Sequence, residues 1–134
     1  MNPCSEDIKD ILLAETELNL VFAENLFVAR EPSNPDNIVT IFDTPGAPMM
    51  KTFSYGENYE YPSVQIRGRG TDYRTVFALL QTIVEKLHNH PQQALNGSFY
   101  TVIQCNTTPT LLDWDDNGRC RLITNFLIQR RRSV

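Results

Sequence analysis

The pattern of hydrophobic and polar positions changes its period near the middle of the chain. Val64 and Ile66 alternate with polar residues up to Arg69, so one face of an extended segment is apolar while the other carries charge. Apolar residues then recur at helical spacing and form one broad stripe: Tyr73, Val76, Phe77, Leu80, Ile83, Val84 and Leu87. The sequence therefore predicts a strand that ends in this segment and a long helix that begins there.

The rest of the chain supplies further candidate elements. A short helix is predicted from Ser5, because the carboxylates that follow it would lie at the positive end of the helix dipole. Strands are predicted over Ile38–Phe42, Phe99–Cys105 and Arg121–Ile128. The stretch from Thr44 to Pro62, with prolines and tyrosines among polar residues, predicts a long exposed excursion.

Together these elements predict the fold class. We expect a single α+β domain over residues 1–134, with a mainly antiparallel sheet, a long helix packed across one face and a short N-terminal helix. No internal repeat or interior linker divides the chain.

Composition is that of an ordinary globular protein, with 41% hydrophobic and 21% charged residues among 134. No apolar run approaches the roughly 20 residues needed to cross a bilayer, and the N-terminus lacks the pattern of a signal peptide. We therefore expect a soluble protein made in a cytoplasm. Cys4, Cys105 and Cys120 are widely spaced and form no C-x-x-C pair, which predicts reduced thiols.

The net charge of −4 is unevenly distributed. Residues 1–65 hold 11 acids and 3 bases, whereas residues 66–134 hold 5 acids and 9 bases. The halves therefore differ in sign, at −8 and +4. Such polarity could orient identical subunits or steer a negatively charged partner, or it could reflect scattered solvated side chains.

Two short patterns resemble metal sites, and both have a simpler explanation. Residues 113–118 match the first half of a calcium-binding EF-hand loop, but the twelfth position is Thr124 where a bidentate glutamate is needed, so a hairpin turn at Asn117 and Gly118 is favoured. His88 and His90 do not share a helix face, which favours histidines at a helix end over metal ligands. We predict no metal and no cofactor.

Arginines supply the other candidate sites. The run from Arg67 to Gly70 could form a phosphate-contacting loop, or a tight strand-to-helix turn whose arginines meet carboxylates of a neighbour. The run Arg130, Arg131 and Arg132 could contact nucleic acid phosphates, or could serve only solubility. No nucleophile elbow, cysteine–histidine signature or catalytic carboxylate pair is recognisable, so we predict no enzymatic activity.

The order of these segments resembles a known family. The chain resembles the minor capsid or tail terminator proteins of tailed bacteriophages. The segments that carry the resemblance are residues 64–70, Asp72 with the helix to Leu87, the strand from Phe99, the turn at residues 116–119 and the closing segment 124–128. The resemblance covers most of the chain, although the Tyr-rich stretch 51–61 has no counterpart.

This resemblance implies a virion structural protein of the tail or neck, assembled in the host cytoplasm. It implies a homo-oligomeric ring, commonly hexameric, that caps the tail tube, stops its growth and joins it to the head connector. The partners would be the tail tube protein and a head connector or head-completion protein, with nonspecific contact to passing DNA and no membrane.

A ring requires heterologous interfaces, in which one patch of each subunit meets a different patch of the next. We predict that Arg67, Arg69 and Asp72 lie in that interface, and that Arg130, Arg131 and Arg132 contact DNA or a partner. Because both strand arginines alternate outward, reversing both to glutamate should leave the fold intact but weaken subunit association or docking. A small nucleic-acid-binding α+β module and a small enzyme are the alternatives, although the chain is acidic and lacks the aromatic RNP stretch of an RNA-recognition module.

Overall fold

The computed structural model describes residues 1–51 and 58–132. Its helices and strands are α1 (Cys4–Ala14), a 3-10 turn (Thr16–Leu18), β1 (Leu26–Val28), β2 (Ile38–Lys51), β3 (Asn58–Gly70), α2 (Tyr73–Leu87), β4 (Gln93–Leu95), β5 (Ser98–Trp114) and β6 (Cys120–Arg132). No helix in these two ranges is long and apolar enough to span a membrane.

The six strands form one curled sheet, a half-barrel, in the order β1-β2-β3-β6-β5-β4. β1 runs parallel to β2, and every other neighbouring pair is antiparallel. Side chains alternate between two faces, as the burial of every second residue along β6 shows. The buried face is covered by α1 and α2, and the apolar core lies between them and the sheet.

The predicted fold class is wrong. The structure is mostly β, with 49% of residues in strands and 24% in helices, and its two helices are short relative to the sheet. At 1.5 Å per residue the 15 residues of α2 extend about 22 Å, whereas the 17 residues of β5 extend about 56 Å. The helix therefore covers less than half the length of the strand beneath it.

The predicted strands were too short because polar and proline-containing segments continue them. β2 runs on to Lys51 and β3 begins at Asn58, so the excursion predicted from Thr44 to Pro62 is wrong wherever the structure describes it. The pairing of β2 with β3 shifts register on both sides of Ala47, and such irregularities accommodate proline within a sheet. Residues 52–57 of the Tyr-rich stretch lie outside the described residues.

The boundaries of α2 are confirmed at Tyr73 and Leu87. Asp72 is its N-cap, accepting a hydrogen bond from the backbone N–H of Thr75 at 3.2 Å. In α1 the capping residue is Pro3. Ser5 is buried there, and its backbone N–H and hydroxyl both donate to Asp43 of β2, which fixes the helix to the sheet.

Candidate functional site

The face of the sheet opposite the helices carries a cluster of arginines. On β3, Val64 and Ile66 point into the core, so Arg67 and Arg69 point to the other face. Arg121 lies directly opposite Arg69 on β6. Three guanidinium groups on two adjacent strands are thereby brought together.

Glu31, in the loop between β1 and β2, pairs with all three of these guanidinium groups. Its carboxylate accepts hydrogen bonds from Arg67 at 3.2 Å, from Arg69 at 3.2 Å and from Arg121 at 3.5 Å. Arg121 also binds Asp113 through two nitrogens, at 2.7 and 3.2 Å. We call Glu31 with these three arginines the Glu31 cluster.

Arg69 is the most enclosed member of the cluster, with its side chain 3% exposed. Besides pairing with Glu31 it donates to backbone carbonyls of the Pro-rich loop, namely those of Pro32, Ser33, Pro35 and Asp36. Such carbonyls need donors when water is excluded. The side chain of Arg69 therefore holds the loop 31–37 against the sheet.

Arg119 holds the same loop from the other side. It pairs with Asp36 at 3.2 Å and donates to the carbonyl of Ser33, while its Nε binds Asp115 at 2.7 Å. An open cleft of about 540 Å³ lies between this loop and the β5–β6 turn. Acids and arginines alternate along its walls, so it is not a basic pocket of the kind that binds phosphate.

The β5–β6 connection is a hairpin, as predicted, and not a calcium loop. Asp115 accepts from the backbone N–H groups of Asn117 and Arg119, at 3.0 and 2.9 Å, and Gly118 has a φ of +75°. Burial raises the pKa of Asp115, but the hydrogen bonds from Arg119 and Asn117 outweigh it and hold that pKa below its usual value. Within residues 1–51 and 58–132, no three ligand side chains converge on a metal position.

A second polar cluster lies beneath α1. Arg130 donates to Glu60 at 2.9 Å and to the hydroxyl of Tyr100 at 3.0 Å, and lies 3.6 Å from Asp7. The Tyr100 hydroxyl in turn donates to Asp7, which is fully buried. Burial raises the pKa of Tyr100, so its phenol remains protonated and available as a donor. We call these four residues the Asp7 cluster.

The Asp7 cluster changes the interpretation of the C-terminal arginines. Arg130 is 7% exposed and takes its partners within the chain, and its contact with DNA or a partner stays a prediction. Arg131 lies on the other face of the sheet, with its guanidinium 4.8 Å from the centre of the Phe99 ring. Arg132 is exposed.

The remaining predicted residues are placed as follows. Arg67 and Arg69 have acidic partners, but in their own chain, and Asp72 lies at the exposed start of α2. His88 ends α2, and its Nδ1 accepts from the backbone N–H of Cys105 at 3.0 Å.

Sequence reasoning missed the acids that organise both clusters. Glu31 follows no periodic pattern, and Asp7 was assigned to the polar surface of a helix start. Arg121 could have been found, because the alternation that places Leu122 in the core places its neighbour on the arginine face.

The three cysteines are reduced, and their burial predicts different reactivity. Burial raises the pKa of Cys4 from 9.0 to about 12 and also raises the pKa of Cys120. Because the pKa of Cys4 is higher in the folded than in the unfolded state, the protonated thiol favours the folded protein. This contribution to stability is complete below about pH 9 and is lost as pH rises toward 12.

We therefore expect that at pH 8 a thiol reagent modifies Cys105 first and leaves Cys4 and Cys120 unmodified until the protein unfolds. Mass spectrometry of alkylated peptides measures this order, with Cys105→Ser as the control. Rapid native labelling of Cys4 would contradict its buried position.

Both clusters connect loops, strands and a helix of one chain. Fold and clusters thus define a structural domain of a half-barrel sheet braced by internal ion pairs. Residues 6–131 match the family described as bacteriophage tail terminator protein. Because this match spans nearly the whole sequence, the chain belongs to the tail terminator family.

A solved structure has a similar fold. A chain from the virion of a native gene transfer agent particle matches with a TM-score of 0.69 and 10% sequence identity, covering 95% of this chain and 93% of that chain. At this identity the likeness establishes a shared fold. No curated protein matches the sequence. The chain is a structural protein of a phage virion, located in the tail or neck, and the family is not one of enzymes.

Proposed function

We propose that residues 1–134 act as one domain that assembles into a hexameric ring, caps the tail tube and joins it to the head connector. The observation that carries the proposal is the family match over residues 6–131. The shared fold with a virion chain of a gene transfer agent is consistent with it. One ring face would contact the tail tube protein and the other the connector or head-completion protein, which ends tube growth.

Within such a ring, Arg67 and Asp72 are proposed interface residues. Arg67 keeps 23% of its side chain exposed, and Asp72 is exposed at the start of α2, so both can reach a neighbour. The side chain of Arg69 is enclosed by the loop 31–37. It would act on the interface only by fixing that loop.

The proposal is tested in particles and with purified protein. Cells producing the particle without this chain are expected to contain heads and tails that remain unjoined, with tails of irregular length in electron micrographs. Purified protein is expected to form rings, and native mass spectrometry would count their subunits. Joined particles in its absence, or a strictly monomeric protein at all concentrations, would rule the proposal out.

Contact with passing DNA is expected to rest on Arg131 and Arg132. Each neutralised phosphate contributes roughly −0.9 to the slope of log affinity against log salt, so replacing both with glutamine should reduce that slope by up to about 2. Fluorescence anisotropy with a labelled duplex measures the slope, and Arg30→Gln, which removes one exposed arginine outside the C-terminal run, is the control. Sequence-selective binding that survives physiological salt would favour the nucleic-acid module instead.

A further inference from the structure

One edge of the sheet exposes an apolar patch. β4 pairs with β5 only over Ser98–Tyr100, so the later part of β5 has a neighbouring strand on one side only among the described residues. On that part, Leu111, Leu112 and Trp114 are 40%, 43% and 54% exposed. We call these three residues the edge patch. Large apolar side chains grouped on an open strand are typical of a contact surface.

The opposite edge carries an apolar groove. It has a volume of about 200 Å³ and lies between the segment before β1 and the start of α2, lined mainly by Leu18, Leu20, Val39, Val76 and Leu79. Beside Leu20, Val21 and Phe22 are 48% and 41% exposed. We call the groove with Val21 and Phe22 the edge groove.

The register of the sheet places the patch and the groove at the same level. Residues that pair between neighbouring strands form one row across the sheet, in which each residue lies opposite the next. The residues of this row are Leu26, Val39, Gly68, Leu122 and Leu111. Val39 and Gly68 line the groove and Leu111 belongs to the patch. The groove therefore lies at β2 and β3 and the patch on β5 of the same row, with Leu122 of β6 between them, so the two surfaces do not meet within one subunit.

Charges next to the two surfaces are complementary. Asp116 is exposed in the turn that follows Trp114, and Arg74 is exposed on the first turn of α2, next to the groove residue Thr75. Neither charge has an ion-pair partner within the described ranges. The positive end of the α2 dipole also lies near the groove. Asp116 of one subunit would thus face Arg74 of the next, at a helix start that also carries Asp72.

From this arrangement we propose that the edge patch of one copy packs into the edge groove of a second copy, with Trp114 as the central anchor. The proposal rests on the ring of the proposed function and specifies its subunit contact. A contact between two different patches is heterologous, and repeated at one level around an axis it closes a ring. An aromatic side chain in an apolar groove is the usual energetic centre of such an interface.

Trp114 is the only tryptophan in the chain, so its fluorescence reports the contact in the unmodified protein. Assembly should shift its emission to shorter wavelength as the ring forms and back on dilution. An emission maximum that stays at that of exposed tryptophan while rings form would overturn the proposal.

Two variants test the surfaces separately. Trp114→Ala and Phe22→Ser are each expected to raise the concentration for half-assembly by roughly tenfold or more. Val102→Ser, at an equally exposed apolar position of β5 outside the patch, should assemble as the wild type does. All three positions are exposed, and circular dichroism would verify that the fold is retained.

Mixing the two variants gives the sharpest result. Trp114→Ala keeps an intact groove and Phe22→Ser keeps an intact patch, so one good contact can form between them, and the mixture should give dimers in native mass spectrometry. Rings formed equally well by both variants would overturn this inference and leave the proposed function intact. A wild-type protein that never forms rings would overturn both.

Discussion

Replacing Arg69 with methionine is expected to lower the free energy of unfolding by about 3–5 kcal/mol, because the side chain is enclosed and holds a loop. The substitution removes one partner of Glu31 and the donor to the carbonyls of Pro32, Ser33, Pro35 and Asp36. A net hydrogen bond contributes about 1 kcal/mol, and a buried acceptor left without a donor costs more. Guanidinium chloride unfolding measures the loss.

Arg67→Met is the matched control on the same strand and the same face. Its side chain is 23% exposed and bonds to Glu31 and Gln65, so we expect a loss of about 1 kcal/mol. Equal losses for the two variants, or a loss below about 1 kcal/mol for Arg69→Met, would show that the loop does not depend on Arg69. Charge reversal at Arg69 is expected to unfold the loop. Weaker assembly of that variant would therefore not by itself show that Arg69 contacts a second subunit.

The sequence predicted local structure well where one face of an element is buried. The stripe from Tyr73 to Leu87 set the boundaries of α2, and the alternation at Val64 and Ile66 identified the core face of β3. Each of these elements buries one face, and that burial sets the spacing of its apolar residues. The predicted and observed elements therefore agree.

The fold class could not be predicted because much of the sheet lies beyond the helices. In the outer part of β5, residues 106–114 are partly or fully exposed, so no alternation of apolar and polar residues marks the strand. In β2, prolines at positions 45 and 48 suggested a loop, although shifts in register accommodate them. These segments form strands because their backbone pairs with a neighbouring strand. That pairing is not encoded in the local sequence.

The charged clusters were likewise predictable where the sequence pattern is local and unpredictable where the partner is distant in sequence. Alternation predicted that Arg67 and Arg69 share a face, and this is confirmed by their common contact with Glu31. Their partner lies 36 and 38 residues away in a loop without periodicity, so the sequence left open whether that partner belonged to the same chain or to a neighbour. The burial of Arg130 was not predictable for a related reason, because a run of three arginines gives no sign that alternate residues of a strand face opposite environments.

Arg130→Met is expected to destabilise the protein by about 3–5 kcal/mol, whereas Arg131→Met should cost less than about 1 kcal/mol. The two residues are adjacent on β6 but point to opposite faces. Removing Arg130 leaves the fully buried carboxylate of Asp7 with the Tyr100 hydroxyl and Asn96 as donors but without a cation. Denaturant unfolding of both variants at pH 7 measures the difference.

A second substitution distinguishes the Asp7 ion pair from the other contacts of Arg130. If the unpaired charge of Asp7 causes the destabilisation, the double variant Asp7→Asn with Arg130→Met should recover at least half of the stability lost by Arg130→Met alone, because the buried carboxylate is no longer charged. Additive losses in the double variant would show that Arg130 stabilises the protein through its other partners, the Glu60 carboxylate and the carbonyl of Asn2. In that case the ion pair of Arg130 with Asp7 would contribute little to holding α1 on the sheet.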